Sequence, residues 1–171
     1  MSLNINRHKI QFLLILSFTC LLSACGFQLR EQTQVIPALK SLNLSLSHGS
    51  LDFNRDLRIA LVQAGISIVD VASSDELLEL KTNPISATDM VMARADDNDI
   101  TQVERRLSVT YFIRDKNGQA LWGPRIISTS VMLSNQDAEQ SVKAAYNAEQ
   151  MRRAGQQLAN ELVYDLSFAS F

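Results

Sequence analysis

Cys25 is the residue whose surroundings most clearly predict chemistry in this chain. It follows a short basic start, an apolar run over residues 10–22 and the small residues Ser23 and Ala24. This layout of charged start, apolar run and small residues at a cut site is typical of a secretory signal peptide. The apolar run is about thirteen residues long, below the roughly 20 residues that a membrane-spanning helix needs. We therefore predict that residues 1–24 are cleaved and that the mature protein begins at Cys25.

The three residues before Cys25, Leu-Ser-Ala, resemble the lipobox of bacterial lipoproteins. By this resemblance Cys25 carries a covalent lipid, an S-diacylglycerol with an N-acyl chain such as palmitate. The alternative is an ordinary signal peptide with an incidental cysteine. Because Cys20 is lost with the signal peptide, Cys25 is the only cysteine of the mature chain, and we expect no internal disulfide.

Few other side chains have the types and spacing of a catalytic or metal site. His48 is the only histidine of residues 25–171. It has no Gly-x-Ser-x-Gly pattern beside it, so we predict a solvated loop histidine. The acidic run 96–99 suggests calcium, but an EF-hand loop starting at Asp97 would lack its glycine and its final glutamate. One histidine and an acylated cysteine cannot supply the ligands of a zinc site. We therefore predict no enzyme, no metal and no cofactor; the alternative is a lipid-anchored hydrolase built around His48.

Charge and length limit the classes of partner and fold. The chain has 16 Lys and Arg against 18 Asp and Glu. Cleavage of the signal peptide removes Arg7 and Lys9, which leaves the mature chain mildly acidic. Nucleic acid is therefore disfavoured as a partner, because phosphate binding needs a basic face. Residues 25–171 are long enough for one domain with its own core, and no repeat or linker divides them.

The first half of the mature chain has the pattern of an α/β unit. Leucines alternate with polar residues over 42–46, which predicts a half-buried strand. An apolar stripe at helical spacing predicts a helix over 51–64 that ends at a glycine, followed by a short strand over 65–69. Residues 76–93 have an extended character, and Pro84 within them predicts an edge or a bulge.

The second half predicts an antiparallel meander and a long helix. Alternation predicts a strand over 103–114 and a return strand over 119–133, and Asn117-Gly118 between them predicts a hairpin because both residues tolerate positive φ. The return strand is expected to bend near Gly123-Pro124. An apolar stripe predicts a helix over 137–166, which packs on the domain's own sheet or, alternatively, joins a coiled coil. The predicted fold is α+β, with two helices packed on one face of a mixed, mostly antiparallel four- to five-stranded sheet.

Residues 25–30, Cys-Gly-Phe-Gln-Leu-Arg, resemble the start of the mature chain in the LptE family of lipopolysaccharide-assembly lipoproteins, which begin Cys-Gly-aromatic-x-Leu-Arg. The order of the predicted elements is also similar to that family. The resemblance implies a Gram-negative protein on the periplasmic side of the outer membrane, anchored in the inner leaflet. There it would plug and stabilise the β-barrel LptD, bind lipopolysaccharide and assist its assembly at the cell surface. Gly26 fits this location, because aspartate at that position is the usual signal for retention in the inner membrane. The alternative is a lipid-anchored periplasmic binding module without a barrel partner.

The same resemblance implies where lipopolysaccharide is contacted. The family places one basic residue near the tip of a strand pair, where this chain has Arg94, and another near the start of the last helix. The direct match for the second falls close to Glu139, and the nearest lysine is Lys143. Clustered Arg and Lys pair with phosphate, so we predict Arg94 and Lys143 as lipopolysaccharide contacts. The alternative is that both are solvated surface charges.

Overall fold

The described part of the protein opens with a parallel β–α–β unit. A computed structural model of the protein describes residues 36–48, 51–69, 77–135 and 140–171. After a short 3-10 helix, a strand, a helix and a second strand follow, and the second strand lies parallel beside the first. These elements are β1 (Ser41–Ser45), α1 (Leu51–Gln63) and β2 (Ser67–Ile68). The predicted signal peptide, the lipid site at Cys25 and the family match at Glu139 lie outside the described residues and stay predictions.

The predicted end of α1 is confirmed. Gly65 has a φ of +84°, which is the left-handed conformation that commonly terminates a helix. Its N–H donates to the carbonyl of Val62, and the N–H of Ile66 donates to the carbonyl of Leu61, both at 3.0 Å. These two bonds satisfy carbonyls that the last turn of the helix would otherwise leave unpaired.

The rest of the described chain completes a mixed sheet and adds one long helix. The remaining elements are β3 (Leu78–Thr82), β4 (Ser86–Arg94), β5 (Ile100–Arg114), β6 (Ala120–Ser134) and α2 (Gln140–Leu166). β3 lies parallel to β1, whereas β5 is antiparallel to β3, β4 and β6. Along the sheet the order is β2-β1-β3-β5-β4, and β6 pairs with the opposite edge of β5. The predicted meander over β4, β5 and β6 is confirmed.

β5 is the central strand because three others pair with it. β3 pairs with its last residues and β4 with its first residues, along the same edge. Residues 83–85, with Pro84 in the middle, separate β3 from β4. Proline cannot donate a hydrogen bond to the ladder, so the predicted extended segment becomes two strands. This break explains why the sheet has six strands rather than four to five.

The core lies between the two helices and one face of the sheet. Along β5 the residues from 107 to 114 alternate between buried and half-exposed, which is the pattern of a strand with one covered face. The buried side chains of α1 and α2 recur at helical spacing and meet this face. The α+β fold with two helices on one face is confirmed, and the helix α2 packs on its own domain. The fully buried residues of these elements include Leu42, Leu57, Leu61, Leu80, Tyr111, Ile113, Leu158, Leu162 and Leu166.

The hairpin between β5 and β6 forms where predicted, but through a different turn. The N–H of Gly118 donates to the carbonyl of Asp115 at 3.0 Å, and Gly118 has a φ of +77°. Asn117 does not share that conformation, so the turn differs from the two-residue type that Asn-Gly favours. Its N–H and that of Gln119 donate to Oδ1 of Asp115, at 2.9 and 2.8 Å. This carboxylate closes a loop that is longer than a two-residue hairpin turn.

The predicted bend of the return strand is also confirmed. The register between β5 and β6 shifts after the pair Tyr111 and Arg125. Gly123 lies at this irregularity with a φ of +94°, and a Cβ placed there would come within 2.8 Å of the carbonyl oxygen of Tyr111. Only glycine allows this close approach of the two backbones.

The described domain has two ends that differ in how many buried residues α2 contributes. The terminal pole comprises Ile36, the loop 115–119 and residues 167–171, which the strand registers and the contact between Arg125 and Asp165 bring together. The meander tip comprises the loop 95–99, Asn135 and the first turns of α2 at the other end of β5. β5 has 15 residues and therefore spans about 45 Å. In α2, buried residues begin at Ala154, so the half of the helix nearer the tip covers little core.

Candidate functional site

Arg94 is the last residue of β4 and stands at the entrance of the tight loop 95–99. The loop closes because the N–H of Ala95 donates to the carbonyl of Asp99 at 2.8 Å. Asn98 adopts a φ of +72°, a conformation that asparagine tolerates better than most residues. Its carbonyl accepts a 2.9 Å hydrogen bond from Nη1 of Arg94. The backbone of the loop therefore fixes the direction of the Arg94 side chain.

Lys143 reaches the same tip because Asn147 fastens α2 to the end of β6. The Asn147 side chain accepts a 2.9 Å hydrogen bond from the N–H of Ser134 and donates a 2.8 Å bond to its carbonyl. Lys143 lies four residues earlier and therefore on the same face of the helix. Its Nζ lies 3.4 Å from Oδ1 of Asn135. The second predicted residue is thus held over the end of β6.

Asn135 joins the two halves of the tip. Its side chain donates to the carbonyl of Ile100 at 2.9 Å, and its N–H donates to the carbonyl of Thr101 at 2.8 Å. These bonds tie the residue after β6 to the start of β5, beside the loop that carries Arg94. The amide that contacts Lys143 is therefore itself held in place.

Arg94 and Lys143 line one open pocket of about 460 Å³, together with Asp97 and Asp99. Oδ1 of Asp97 accepts the N–H of Asp99 at 3.1 Å, which leaves its other oxygen for a ligand. Two cations can bind phosphate oxygens through charge-assisted hydrogen bonds, and carboxylates accept hydrogen bonds from hydroxyl groups. The pocket therefore presents two cations and two hydrogen-bond acceptors to a ligand. The structure brings together two residues that the sequence places 49 positions apart.

Sequence reasoning missed Asn135 and Asn147, which build this pocket. Asparagine inside a helix has a low helical propensity because its side chain competes for backbone groups. Asn147 lies well within α2, so its presence there was a usable signal that its side chain bonds something outside the helix.

His48 is exposed beside a smaller pocket of about 250 Å³ between β1, α1 and the break after β3. The polar groups around it are engaged in holding the loop. The N–H of Ser47 donates to Oγ1 of Thr82 at 3.3 Å, and Nδ2 of Asn54 donates to the carbonyl of Ser47 at 3.0 Å. The side chains lining this pocket include hydroxyls and amides but no carboxylate among the residues that the structure describes. This arrangement lacks the acidic partner that a Ser-His-Asp site requires.

Among the residues that the structure describes, no three side chains of His, Cys, Asp or Glu are grouped as a metal ion would require. No described helix is both long enough and apolar enough to cross a bilayer.

A polar cluster near the terminal pole fastens the end of α2 to the sheet. The hydroxyl of Tyr111 donates to Oδ2 of Asp165 at 2.7 Å, and Nε of Arg125 donates to the same oxygen at 2.9 Å. The bonds from Arg125 and Tyr111 hold the pKa of Asp165 below its usual value, against the effect of partial burial. Burial, followed by the bond to Asp165, raises the pKa of Tyr111. The Arg125 guanidinium also lies 5.3 Å from the centre of the Trp122 ring. The cluster joins β5, β6 and α2, and its role is structural.

A family model described as LptE, lipopolysaccharide-assembly, matches residues 39–166. This match covers the two helices, the six strands and both candidate cations. The chain belongs to the LptE family. The family is described by the assembly of lipopolysaccharide and not by an enzymatic activity.

Several solved structures share this fold. The protein is similar to a minor lipoprotein from Acinetobacter baumannii, with 19% identity, a TM-score of 0.64, and coverage of 75% of this chain and 91% of that one. It is also similar to an uncharacterized lipoprotein B from Nitrosomonas europaea, with 17% identity, a TM-score of 0.65, and coverage of 83% and 90%. The rare lipoprotein B from Shewanella oneidensis gives 16% identity, a TM-score of 0.62, and coverage of 74% and 93%. At these identities the likeness establishes the fold alone. No curated protein sequence matches the chain significantly.

Proposed function

We propose that this LptE-family protein is a lipoprotein anchored through Cys25 to the periplasmic side of the outer membrane. There it plugs and stabilises the LptD β-barrel, binds lipopolysaccharide and assists its assembly at the cell surface. The family match supports the process, and the solved relatives named as lipoproteins support the anchor. The observation that carries the proposal is the convergence of Arg94 and Lys143 on one pocket at the meander tip.

The tip pocket supports direct contact with the glycolipid. Arg94 is oriented by the loop carbonyl of Asn98, and Lys143 is positioned by the docking of Asn147. A pre-oriented cation binds phosphate more tightly because less side-chain freedom is lost on binding. In the proposed function these two side chains hold lipid phosphates while Asp97 and Asp99 accept hydrogen bonds from sugar hydroxyls.

The length of the domain supports a position inside a barrel. The central strand β5 spans about 45 Å, whereas the hydrocarbon core of a bilayer is about 30 Å thick. With the terminal pole near the inner leaflet, the meander tip would lie close to the outer surface. That is where lipopolysaccharide has to arrive.

The sheet face opposite the helices supports a partner that covers it. On this face Met90 of β4 and Met132 of β6 are the cross-strand neighbours of Glu104 in β5, and Ile126 lies further along β6. Met90 is 63% exposed and Ile126 is 71% exposed. Polar residues such as Glu104 and Ser128 separate these side chains, so the face is mixed in character, as a surface against the polar interior of a barrel would be. The inner wall of a barrel is the partner that the proposed function supplies.

Co-purification from detergent-solubilised membranes tests this proposal. The full chain with a C-terminal tag is expected to retain a large β-barrel protein and to incorporate radiolabelled palmitate. Cys25→Ala is the matched control for the label and should incorporate none. If the lipid-labelled protein is recovered without any barrel, the plug function is wrong, and the lipid-anchored binding module becomes the better interpretation.

A further inference from the structure

Three apolar side chains form a row across the sheet beside the tip pocket. The strand registers place Val91 of β4 opposite Val103 of β5, and Val103 opposite Leu133 of β6. Directly paired residues of antiparallel strands point to the same side of a sheet, so the three side chains share one face. The apolar row comprises Val91, Val103 and Leu133, and two inter-strand spacings make it about 10 Å long.

The apolar row lies on the helix-facing side of the sheet but outside the buried core. Val103 is four residues before the buried Leu107, with an unbroken register between them, so both side chains point to the side that the helices cover. The helix α2, however, packs over β6 rather than over β4. Val91 is therefore 44% exposed, and Val103 and Leu133 are half-buried. The domain leaves this apolar surface partly open to a ligand.

The apolar row is continuous with the tip pocket. Thr101 lines the pocket, and it precedes Val103 by two residues on the same face of β5. Two residues along a strand correspond to about 7 Å. A molecule whose phosphate lies between Arg94 and Lys143 can therefore lay an attached chain on the row.

An ion pair borders the apolar row on the side away from the pocket. The next residues on this face are Asp89 of β4 and Arg105 of β5, and the guanidinium donates two hydrogen bonds to the carboxylate, at 2.7 and 2.6 Å. Because each charge already has its partner, this pair does not compete with the pocket for a phosphate. The open surface therefore suits a short apolar stretch next to a phosphate, such as the first methylene groups of an acyl chain.

We propose that the apolar row binds an acyl chain of the lipopolysaccharide whose phosphate lies in the tip pocket. This inference rests on the lipopolysaccharide binding of the proposed function and adds the lipid part of the ligand to it. A barrel around the domain leaves the row available, because the barrel wall is proposed to cover the opposite face of the sheet. A ligand with an anionic head and an apolar chain accounts for cations and open apolar side chains lying next to each other.

A comparison of two ligands tests the acyl site. Lipopolysaccharide and its fully deacylated, re-N-acetylated form carry the same sugars and phosphates and differ in their long acyl chains. The affinity of the full-length protein for each ligand is measured at fixed salt and detergent, and the ratio of the two affinities isolates the contribution of the chains. Because each buried methylene group raises affinity about fourfold, we expect the unchanged protein to bind the acylated form at least about tenfold more tightly.

Val91→Asp places a charge in the apolar row at an exposed position of the edge strand β4, and it should lower this ratio about tenfold. Met90→Asp is the matched control, because Met90 is the adjacent residue, is 63% exposed and points to the opposite face. Its ratio should stay that of the unchanged protein. Val103→Thr, which keeps the shape of the side chain, is a second variant and should lower the ratio about threefold. Circular dichroism of each variant verifies that the fold is retained.

The outcomes separate the acyl site from the phosphate pocket. Equal affinity of the unchanged protein for the two ligands would overturn the acyl site and leave the pocket standing, as would an equal fall of the ratio in Val91→Asp and Met90→Asp. Arg94→Glu should weaken the binding of both ligands by the same factor and leave the ratio unchanged. If Arg94→Glu alters neither affinity, the tip pocket does not bind lipopolysaccharide, and the acyl site is wrong together with it.

Discussion

At the scale of single residues, Arg94 provides the most direct test of lipopolysaccharide binding. Arg94→Glu replaces a cation held by the loop carbonyl of Asn98 with a negative charge in the tip pocket. Because a charge-assisted hydrogen bond contributes about 1.5–3 kcal/mol, we expect affinity of the purified protein for lipopolysaccharide to fall about tenfold or more. Binding of labelled lipopolysaccharide at fixed salt measures the change.

Arg58→Glu is the matched control for this prediction. It makes the same charge change at an exposed position of α1, away from the tip. We expect its affinity to stay close to that of the unchanged protein, while Lys143→Glu should weaken binding as Arg94→Glu does. Equal losses for Arg58→Glu and Arg94→Glu would mean that only net charge matters and would remove Arg94 from the site.

The lowered pKa of Asp165 predicts that the free energy of unfolding depends on pH. Its pKa is lowered in the folded protein by Arg125 and Tyr111, whereas in the unfolded chain it is near the ordinary value of about 4. As pH falls below about 4, the unfolded state takes up the proton first, so this part of the free energy of unfolding is present above that pH and is lost below it. Asp165→Asn should lower the free energy of unfolding at pH 7 by about 1–3 kcal/mol, because Arg125 loses its charged partner.

Denaturant unfolding of both proteins from pH 7 to pH 3 measures this effect. We expect the difference in free energy of unfolding between the original protein and Asp165→Asn to shrink as the pH is lowered. A difference that stays constant down to pH 3 would contradict the assigned role of the carboxylate.

At the scale of elements, the interface between α1 and α2 contains Gly155, a helical glycine whose position can also accept a side chain. A Cβ at Gly155 would lie 3.9 Å from Oδ2 of Asp56, which is ordinary contact. That oxygen is buried and has no hydrogen-bond partner among the described residues, so alanine would displace no bond. Gly155→Ala should therefore raise the free energy of unfolding by about 0.5–1 kcal/mol through the higher helical propensity of alanine.

Gly118→Ala is the matched control for the glycine in α2. Nothing in the described part of the chain lies within 4 Å of a Cβ at Gly118, but its φ of +77° disfavours alanine. The same substitution should therefore destabilise the protein by about 1 kcal/mol at this turn. Thermal unfolding of both variants measures whether each substitution stabilises or destabilises the protein. A destabilised Gly155→Ala protein would mean that the helix interface cannot accept a methyl group.

The sheet face opposite the helices leads to a separate prediction about binding of the barrel partner. Ile126→Asp places a charge where the side chain is 71% exposed, so the isolated protein should fold with little loss of stability. Inside a barrel the carboxylate would lose its water, and we expect the yield of co-purified barrel to fall at least about threefold. Ile59→Asp on α1 is the matched control and should keep the yield; equal yields for the two variants would contradict contact through this face.

At the scale of the whole molecule, local patterns in the sequence predicted the elements but not the way they meet. The alternation in β5, the stop at Gly65 and the hairpin at Gly118 depend on neighbours within a few residues, so they could be predicted. The first half of α2 is held to the sheet through Asn147 bonding Ser134, and the resulting convergence of Arg94 and Lys143 depends on packing between distant elements. Resemblance to the family predicted Arg94 and Lys143 as two separate positions. Only the tertiary structure places their side chains at one pocket.

The unequal ends of the domain lead to a prediction about its dynamics. Buried side chains of α2 lie from Ala154 onward, whereas β4 is an exposed edge strand along almost its whole length. Segments with few buried apolar contacts open locally at lower free energy than the core. Amide hydrogen exchange should therefore be faster in β4, in the loop 95–99 and in residues 140–150 than in β1, β3 and α1. If a barrel encloses the meander, its binding should slow exchange in these tip segments and leave the core amides unchanged. Uniform protection along the free chain would contradict the difference between the two ends, and unchanged tip exchange in the complex would contradict enclosure of the meander.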